Sequence, residues 1–172
     1  MKYFSLFGLE PRFDIDLTQL HGQYQQLQKA VHPDHHANAS ESEKLLWVQK
    51  ASEINDAYQT LKHPLSRAEY MVAQHGFDVR HEQQTIRDGM FLMQQMELRE
   101  ELEELENADD VETALDDFYD DVKRLVEEYT DSFIQQFGAN EFEQAAMAVR
   151  KLRFIYKLKE EAQQLEDKLL DF

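Results

Sequence analysis

Apolar residues recur three and four positions apart along almost the whole chain, the period of an amphipathic helix rather than of a strand. Phe4, Leu6 and Phe7 form a short apolar turn that stops at Gly8. Asp16 then predicts a helix start, with Gln19 three positions on as the second half of a capping box. Leu17, Leu20, Tyr24, Leu27 and Val31 follow on a single stripe. Pro33 disfavours helical backbone angles at His32, so this helix ends near Val31. Ser40 and Glu43 mark the next capping box, and Val48, Ala51, Ile54, Tyr58 and Leu61 give that helix its inward face. Pro64 suits the first position of a fourth helix, which Gly76 closes. The pattern therefore predicts two antiparallel helices around a polar loop running from His32 to Ala39.

The remainder reads as three long helices. Thr85 is the expected cap of the first, which runs to near Glu106. On a wheel of roughly 100° per residue with Leu92 at zero, Phe91, Leu98, Leu102 and Leu105 gather near −110°, the stripe that faces a core. Leu92, Met93 and Met96 fall at roughly 0°, 100° and 40°, and Glu97, Glu100 and Glu104 at roughly 140°, 80° and 120°. One face nearly opposite the core stripe is thus apolar at its N-terminal end and acidic beyond. Solvation explains the glutamates but not the leucine and two methionines, because grouped exposed apolar side chains mark contact sites. The competing explanation is cover by a neighbouring helix or by the first part of the chain. Val111, Leu115, Phe118, Val122, Leu125, Tyr129 and Phe133 give the second helix a buried stripe. Asn140 with Glu143 is the expected start of the third, whose core residues are Ala145, Val149, Leu152 and Tyr156. Met147, Arg150 and Phe154 share its outward side.

Charge divides the chain as the pattern does. Residues 1–79 carry 10 acidic and 7 basic side chains, residues 80–172 carry 25 and 11, and the whole has a net charge of −17. All three prolines and six of the seven histidines lie in the first part. Two domains are expected, residues 1–76 and 85–172, joined by a short connection over 77–84. The acidic excess argues against a nucleic-acid partner, which requires a basic footprint, and against an anionic membrane surface. No run of apolar residues is long enough to span a bilayer, and the opening Met1-Lys2-Tyr3-Phe4-Ser5 does not read as a secretory leader. The absence of cysteine removes disulfides, thiolate metal sites and a cysteine nucleophile, and fits a reducing compartment. Arg150, Lys151, Arg153, Lys157 and Lys159 form a basic cluster in an acidic domain, best read as charge balance.

His32, Asp34, His35 and His36 crowd the first loop and raise the question of a metal. They occupy a proline-containing loop without other evident ligands, and histidines one turn apart on a helix would be stronger evidence. A Ser/His/Asp catalytic set lacks its strand-turn-helix elbow and its glycine-rich oxyanion loop. No cofactor, metal or catalytic residue is expected, and the plain reading of this loop is a solvated connection.

Its context says more. Tyr3-Phe4-Ser5-Leu6-Phe7-Gly8-Leu9, the Tyr24/Leu27 helix and His32-Pro33-Asp34 between two helices are similar to a J-domain, the module that stimulates ATP hydrolysis by large heat-shock chaperones. The match continues through Ile54-Asn55-Asp56-Ala57-Tyr58-Gln59-Thr60-Leu61 into Arg67-Ala68-Glu69-Tyr70. With His63-Pro64-Leu65-Ser66 and the acidic helical second part ending Lys168-Leu169-Leu170-Asp171-Phe172, the whole chain resembles the HscB family of iron–sulfur cluster assembly co-chaperones. That resemblance implies an all-α protein, an N-terminal J-domain helical hairpin plus a C-terminal three-helix bundle, not an enzyme, monomeric and located in a bacterial cytoplasm. It implies that His32, Pro33 and Asp34, with Lys29 on the preceding helix, meet an HscA-type ATPase chaperone, Asp34 contacting a partner arginine. It also implies that Leu92, Met93, Met96, Glu97, Glu100, Glu104 and Phe154 bind an IscU-type scaffold. His35 stands where a lysine commonly follows the tripeptide, and the preceding helix offers only Lys29 and His21 among glutamines. Both departures weaken charge steering and favour a specialised chaperone. A general J-protein serving a DnaK-type chaperone and a metal-binding histidine loop stay open as alternatives.

Overall fold

A computed structural model describes residues 1–82 and 86–170. Helices and turns are the only regular structure among them. The chain divides into two compact units, Met1–Gln74 and His75–Phe172.

The first unit opens with α1 (Lys2–Leu6), which buries Phe4 and, just beyond its end, Phe7. Gly8 turns the chain there at φ +65°, donating to the Ser5 carbonyl at 3.1 Å while Leu9 N–H reaches Phe4 O at 2.9 Å. This is the paired closure that a left-handed residue permits. Next come α2 (Leu17–Val31), a 3₁₀ turn (Pro33–His36), α3 (Glu41–Lys62) and α4 (Pro64–Ala73). Asp16 caps α2 by accepting from Thr18 and Gln19 N–H, and Ser40 with Glu43 forms the reciprocal box at α3. The α2–α3 hairpin is zipped by Tyr24 stacked on Tyr58 at 3.9 Å and by Tyr24 Oη donating to Asn55 Oδ1 at 3.1 Å. Two expected stripe positions face solvent instead: Leu17, in the first turn of α2, and Val48, near the start of α3. Leu17 is the first residue of α2, and Val48 lies in the Glu41–Lys50 stretch of α3, where only Trp47 is partly covered. The inward face of α3 is carried by Ile54, Ala57 and Leu61, one turn further along.

The residues that carry the sequence resemblance interlock. The Tyr70 ring stacks on Tyr3 at 4.6 Å, and its hydroxyl accepts from Tyr3 N–H at 3.0 Å. Arg67 is buried. Its Nε donates to Leu61 O and its Nη1 to Phe13 O, both at 2.8 Å, with the guanidinium 5.0 Å from the Phe13 ring centroid. One cation thereby satisfies a last-turn carbonyl of α3 and pins the segment leading into α2.

The second unit contains α5 (Gly89–Glu104), a 3₁₀ turn (Leu105–Asn107), α6 (Val111–Gly138) and α7 (Phe142–Leu170). The α6 stripe from Leu115 to Phe133 is buried as expected, and so are Phe91, Leu98, Leu102 and Leu105. Both expected starts around this bundle are corrected. Helix α5 begins at Gly89 under an Asp88 cap that accepts from Met90 and Phe91 N–H; Thr85, the expected cap, lies outside the described residues. Its α-helical hydrogen bonding also stops at Glu104, short of Glu106. Asn140 does not start α7 but ends α6, at φ +60°, donating to Phe137 O while Glu141 N–H reaches Gln136 O. Asparagine tolerates that left-handed conformation better than other side-chain-bearing residues, which outweighed its capping tendency. The segment expected as a connection supplies Val79, which is buried, and Glu82, while His75 stacks on Phe142 at 3.7 Å.

Replacing Arg67 with Met keeps much of the side-chain volume but leaves two carbonyls without their donor. The expected loss is about 2–4 kcal/mol, read as a lower urea midpoint at unchanged slope.

Candidate partner-binding surfaces

Pro33 sets the first surface. With no N–H and a ring that clashes with helical geometry before it, proline turns His32 to φ −59°, ψ 137° and ends α2. His32 then serves the next turn: its Nδ1 accepts from Asp34 N–H at 3.2 Å, which requires that nitrogen to be unprotonated. The Asp34 carboxylate is almost fully exposed, and the same His32 nitrogen, 3.5 Å from its Oδ2, is an acceptor and does not hold it. A free carboxylate at the tip of a hairpin can form a bidentate pair with an incoming guanidinium. Lys29 is exposed on the last turn of α2. His21, counted with it on the same helix, is engaged instead, its Nδ1 3.0 Å from Tyr58 Oη. His36 is held as well: it stacks on Trp47, and its Nε2–H donates to Ala30 O. Among the described residues no group of three or more His, Asp or Glu side chains is arranged to hold a metal ion.

The second surface lies on α5. With Phe91, Leu98 and Leu102 turned inward, the other side leaves Leu92 39%, Met93 64% and Met96 63% exposed, and Glu97, Glu100 and Glu104 are exposed beside them. Phe154 of α7, 37% exposed, lies edge-on to Phe91 at 6.0 Å. A cavity of about 220 Å³ next to it is lined by Val79, Glu82, Arg150, Arg153, Phe154 and Lys157. Met90, 74% exposed, extends the apolar patch and went unremarked in the sequence. The signal was there: at roughly 160° on the same wheel it neighbours Glu97, but a helix assumed to start at Thr85 hid its place in the first turn. Arg150 departs from expectation. Placed on the outward side by the wheel, it is buried, with Nε 2.8 Å from Glu82 Oε2 and Nη2 3.2 Å from Oε1. Lys151 pairs with Asp88 at 2.7 Å over the Phe91 and Tyr129 rings. Two of the five basic residues of the cluster thus balance carboxylates just ahead of and at the start of α5.

Comparison with known proteins identifies these surfaces' family. A profile described as "DnaJ domain" matches residues 2–70, and one described as "HSCB C-terminal oligomerisation domain" matches residues 87–163. A "Co-chaperone protein HscB homolog" of Vibrio campbellii is 51% identical over 99% of both chains, and one of Vibrio vulnificus is 52% identical over 98% of this chain and 99% of its own. The chain belongs to the HscB family. Chaperone HscB from Vibrio cholerae superposes with a TM-score of 0.86 at 46% identity, covering 98% of this chain and 99% of the other. Human co-chaperone protein HscB gives 0.86 at 34% identity, covering 95% and 81%. HscB membership makes the chain an all-helical J-domain co-chaperone, of a family that works in iron–sulfur cluster assembly. No helix among the described residues is long and apolar enough to cross a membrane.

The acidic end of the α5 face contains a titrating group. Burial, reinforced by the Asp121, Asp117 and Glu104 carboxylates, raises Glu101 from its ordinary 4.5 to about 7. A carboxyl whose folded value exceeds its unfolded one binds its proton more tightly in the native state. Its favourable contribution is complete below about 4.5 and is lost as pH rises through about 7. Glu101→Gln should therefore raise the melting temperature at pH 8, by about 2–4 °C, with no gain at pH 4. Equal gains at both values would remove the carboxylate cluster as the cause.

Proposed function

We propose that the chain is a two-surface co-chaperone. The Asp34 loop docks on the ATPase domain of an HscA-type heat-shock chaperone and stimulates hydrolysis, with Asp34 meeting a partner arginine and Lys29 adding local positive charge. The α5 face, Leu92, Met93, Met96, Glu97, Glu100 and Glu104, together with Phe154 of α7, takes an IscU-type scaffold. Residues 1–76 and 85–172 are assigned to these two tasks, with 77–84 as a connection whose Val79 and Glu82 pack with the second. The chain itself breaks no covalent bond; it accelerates a partner's reaction, and it works in the bacterial cytoplasm as a monomer.

The observation that carries this reading is the grouped exposure of Leu92, Met93 and Met96 on a helix whose opposite stripe is fully packed. Water contact with such a patch is unfavourable, so an occupant is expected. The adjoining glutamates select one with a basic rim. The matched profile's description as an oligomerisation domain supplies a competing occupant, a second copy of the chain. Service to a general DnaK-type chaperone is disfavoured by the thin positive charge on α2, where Lys29 stands among Gln23, Gln25, Gln26 and Gln28.

Asp34→Asn should abolish ATPase stimulation and leave scaffold affinity intact; loss of both would refute the division of labour. Changing Leu92, Met93 and Phe154 to Ala should weaken scaffold binding at unchanged helicity, each by about 1–3 kcal/mol. Wild-type affinity in that triple variant would exclude the face. Sedimentation of the wild-type chain alone should give a monomer, and a dimer dispersed by the same three substitutions would assign the patch to self-association instead.

A further inference from the structure

The Pro33–His36 turn buries none of its own residues. A 3₁₀ turn this short has weak hydrogen-bond geometry and little to hold it in one form. His36 supplies the missing anchorage. Its imidazole lies flat on the indole of Trp47, centroids 3.7 Å apart and planes within 12°. Its Nε2–H donates to Ala30 O, in the last turn of α2, at 2.9 Å. One side chain of the turn is thus fastened to both arms of the hairpin. From Glu41 to Lys50 every residue of α3 except Trp47 is exposed, so the indole is covered by the turn and by Lys50, whose Nζ lies 5.8 Å from its centroid, rather than by a general core. The turn's backbone is closed by His35 N–H to His32 O at 3.0 Å and Ala39 N–H to His36 O at 3.1 Å.

We infer that the His36–Trp47 stack is a clasp that holds the Pro33–His36 turn in the form in which Asp34 docks, making His36 and Trp47 positioning residues for Asp34. This rests on the docking reading given above. Ordering a free loop costs conformational entropy on every encounter, and a loop that is competent for only a fraction of the time has its apparent affinity reduced by that fraction. Once docked, the loop makes the same contacts with or without the clasp. The signature is therefore a shift in the concentration needed for stimulation, with the plateau unchanged.

The test measures ATP hydrolysis by an HscA-type chaperone against increasing concentrations of the full chain. His36→Ala and Trp47→Leu should each raise the half-maximal concentration about 3- to 10-fold, at an unaltered plateau and unaltered far-ultraviolet circular dichroism. His36→Phe, which restores a flat ring over the indole, should return to within about twofold of wild type. Trp47 is the sole tryptophan, so its emission in His36→Ala should differ from wild type and report loss of the stack. Wild-type half-maximal concentrations in folded His36→Ala overturn the clasp, as does a lowered plateau, which would put His36 in the interface itself. Should Trp47→Leu lose helicity, the two His36 variants decide the question. Asp34→Asn, with the clasp intact, should collapse the plateau; full stimulation in that variant overturns the docking reading and this inference with it.

Discussion

Proline denies the residue before it helical backbone angles, and the exposed tip of the first unit follows from that restriction at Pro33. The helix must stop, the chain must restart, and the restart falls at the tip of a hairpin. The same dipeptide recurs at His63-Pro64 with the same local solution: the histidine Nδ1 accepts from the N–H two residues on, 3.2 Å at Asp34 and 3.1 Å at Leu65. The outcomes then diverge. After Pro64 come Arg67, Ala68, Met71 and Val72, all buried, and a ten-residue helix forms. After Pro33 come Asp34, His35 and His36, with nothing to bury, and the turn stays at the surface. A short polar sequence behind an identical start signal is what leaves a carboxylate presented instead of packed.

The second unit presents its face by a different route. Helices α6 and α7 have 28 and 29 residues and pair along their length, whereas α5 has 16 and lies against them along one stripe only. Ion pairs hold α5 in place from the rim, Asp88 to Lys151 at its start and Arg99 to Glu161 further along, each at 2.7 Å. The outward side is thus carried on a helix fixed from behind, so binding there costs little reordering of the backbone. Burial, with the carboxylates of α6 and α5 around it, raises the Glu101 carboxyl of that helix to about 7.

Helical class, the hairpin, the α6 stripe and the inward row of α5 were legible because each is a period of apolar residues, and burial obeys the period wherever a neighbour is present. The pattern failed at Leu17 and Val48, which lie on the apolar stripes yet face solvent, since periodicity records a face and not what covers it. Arg150 was misread for the opposite reason: a charge on the outward side of α7 meets Glu82 from a segment with no helical pattern of its own. Asp88, which caps α5, also pairs with Lys151 of α7, a tertiary contact that leaves no mark in the periodicity. Of the candidate surfaces, the exposure of Asp34 and of the α5 face could be read in advance. The His36–Trp47 contact could not, because two rings eleven positions apart across a turn leave no periodic trace.

The Arg150–Glu82 pair also determines where the second unit can be cut. Glu82 lies ahead of α5, together with the buried Val79 and with His75 stacked on Phe142. A fragment begun at the first helical residue of the bundle would retain every helix and still strip a guanidinium of that counter-charge in a nearly dry setting, the situation in which a lone charge is most destabilising. Residues 75–82 are therefore structural material of the second unit, and autonomy of that bundle begins near His75 rather than at the start of α5.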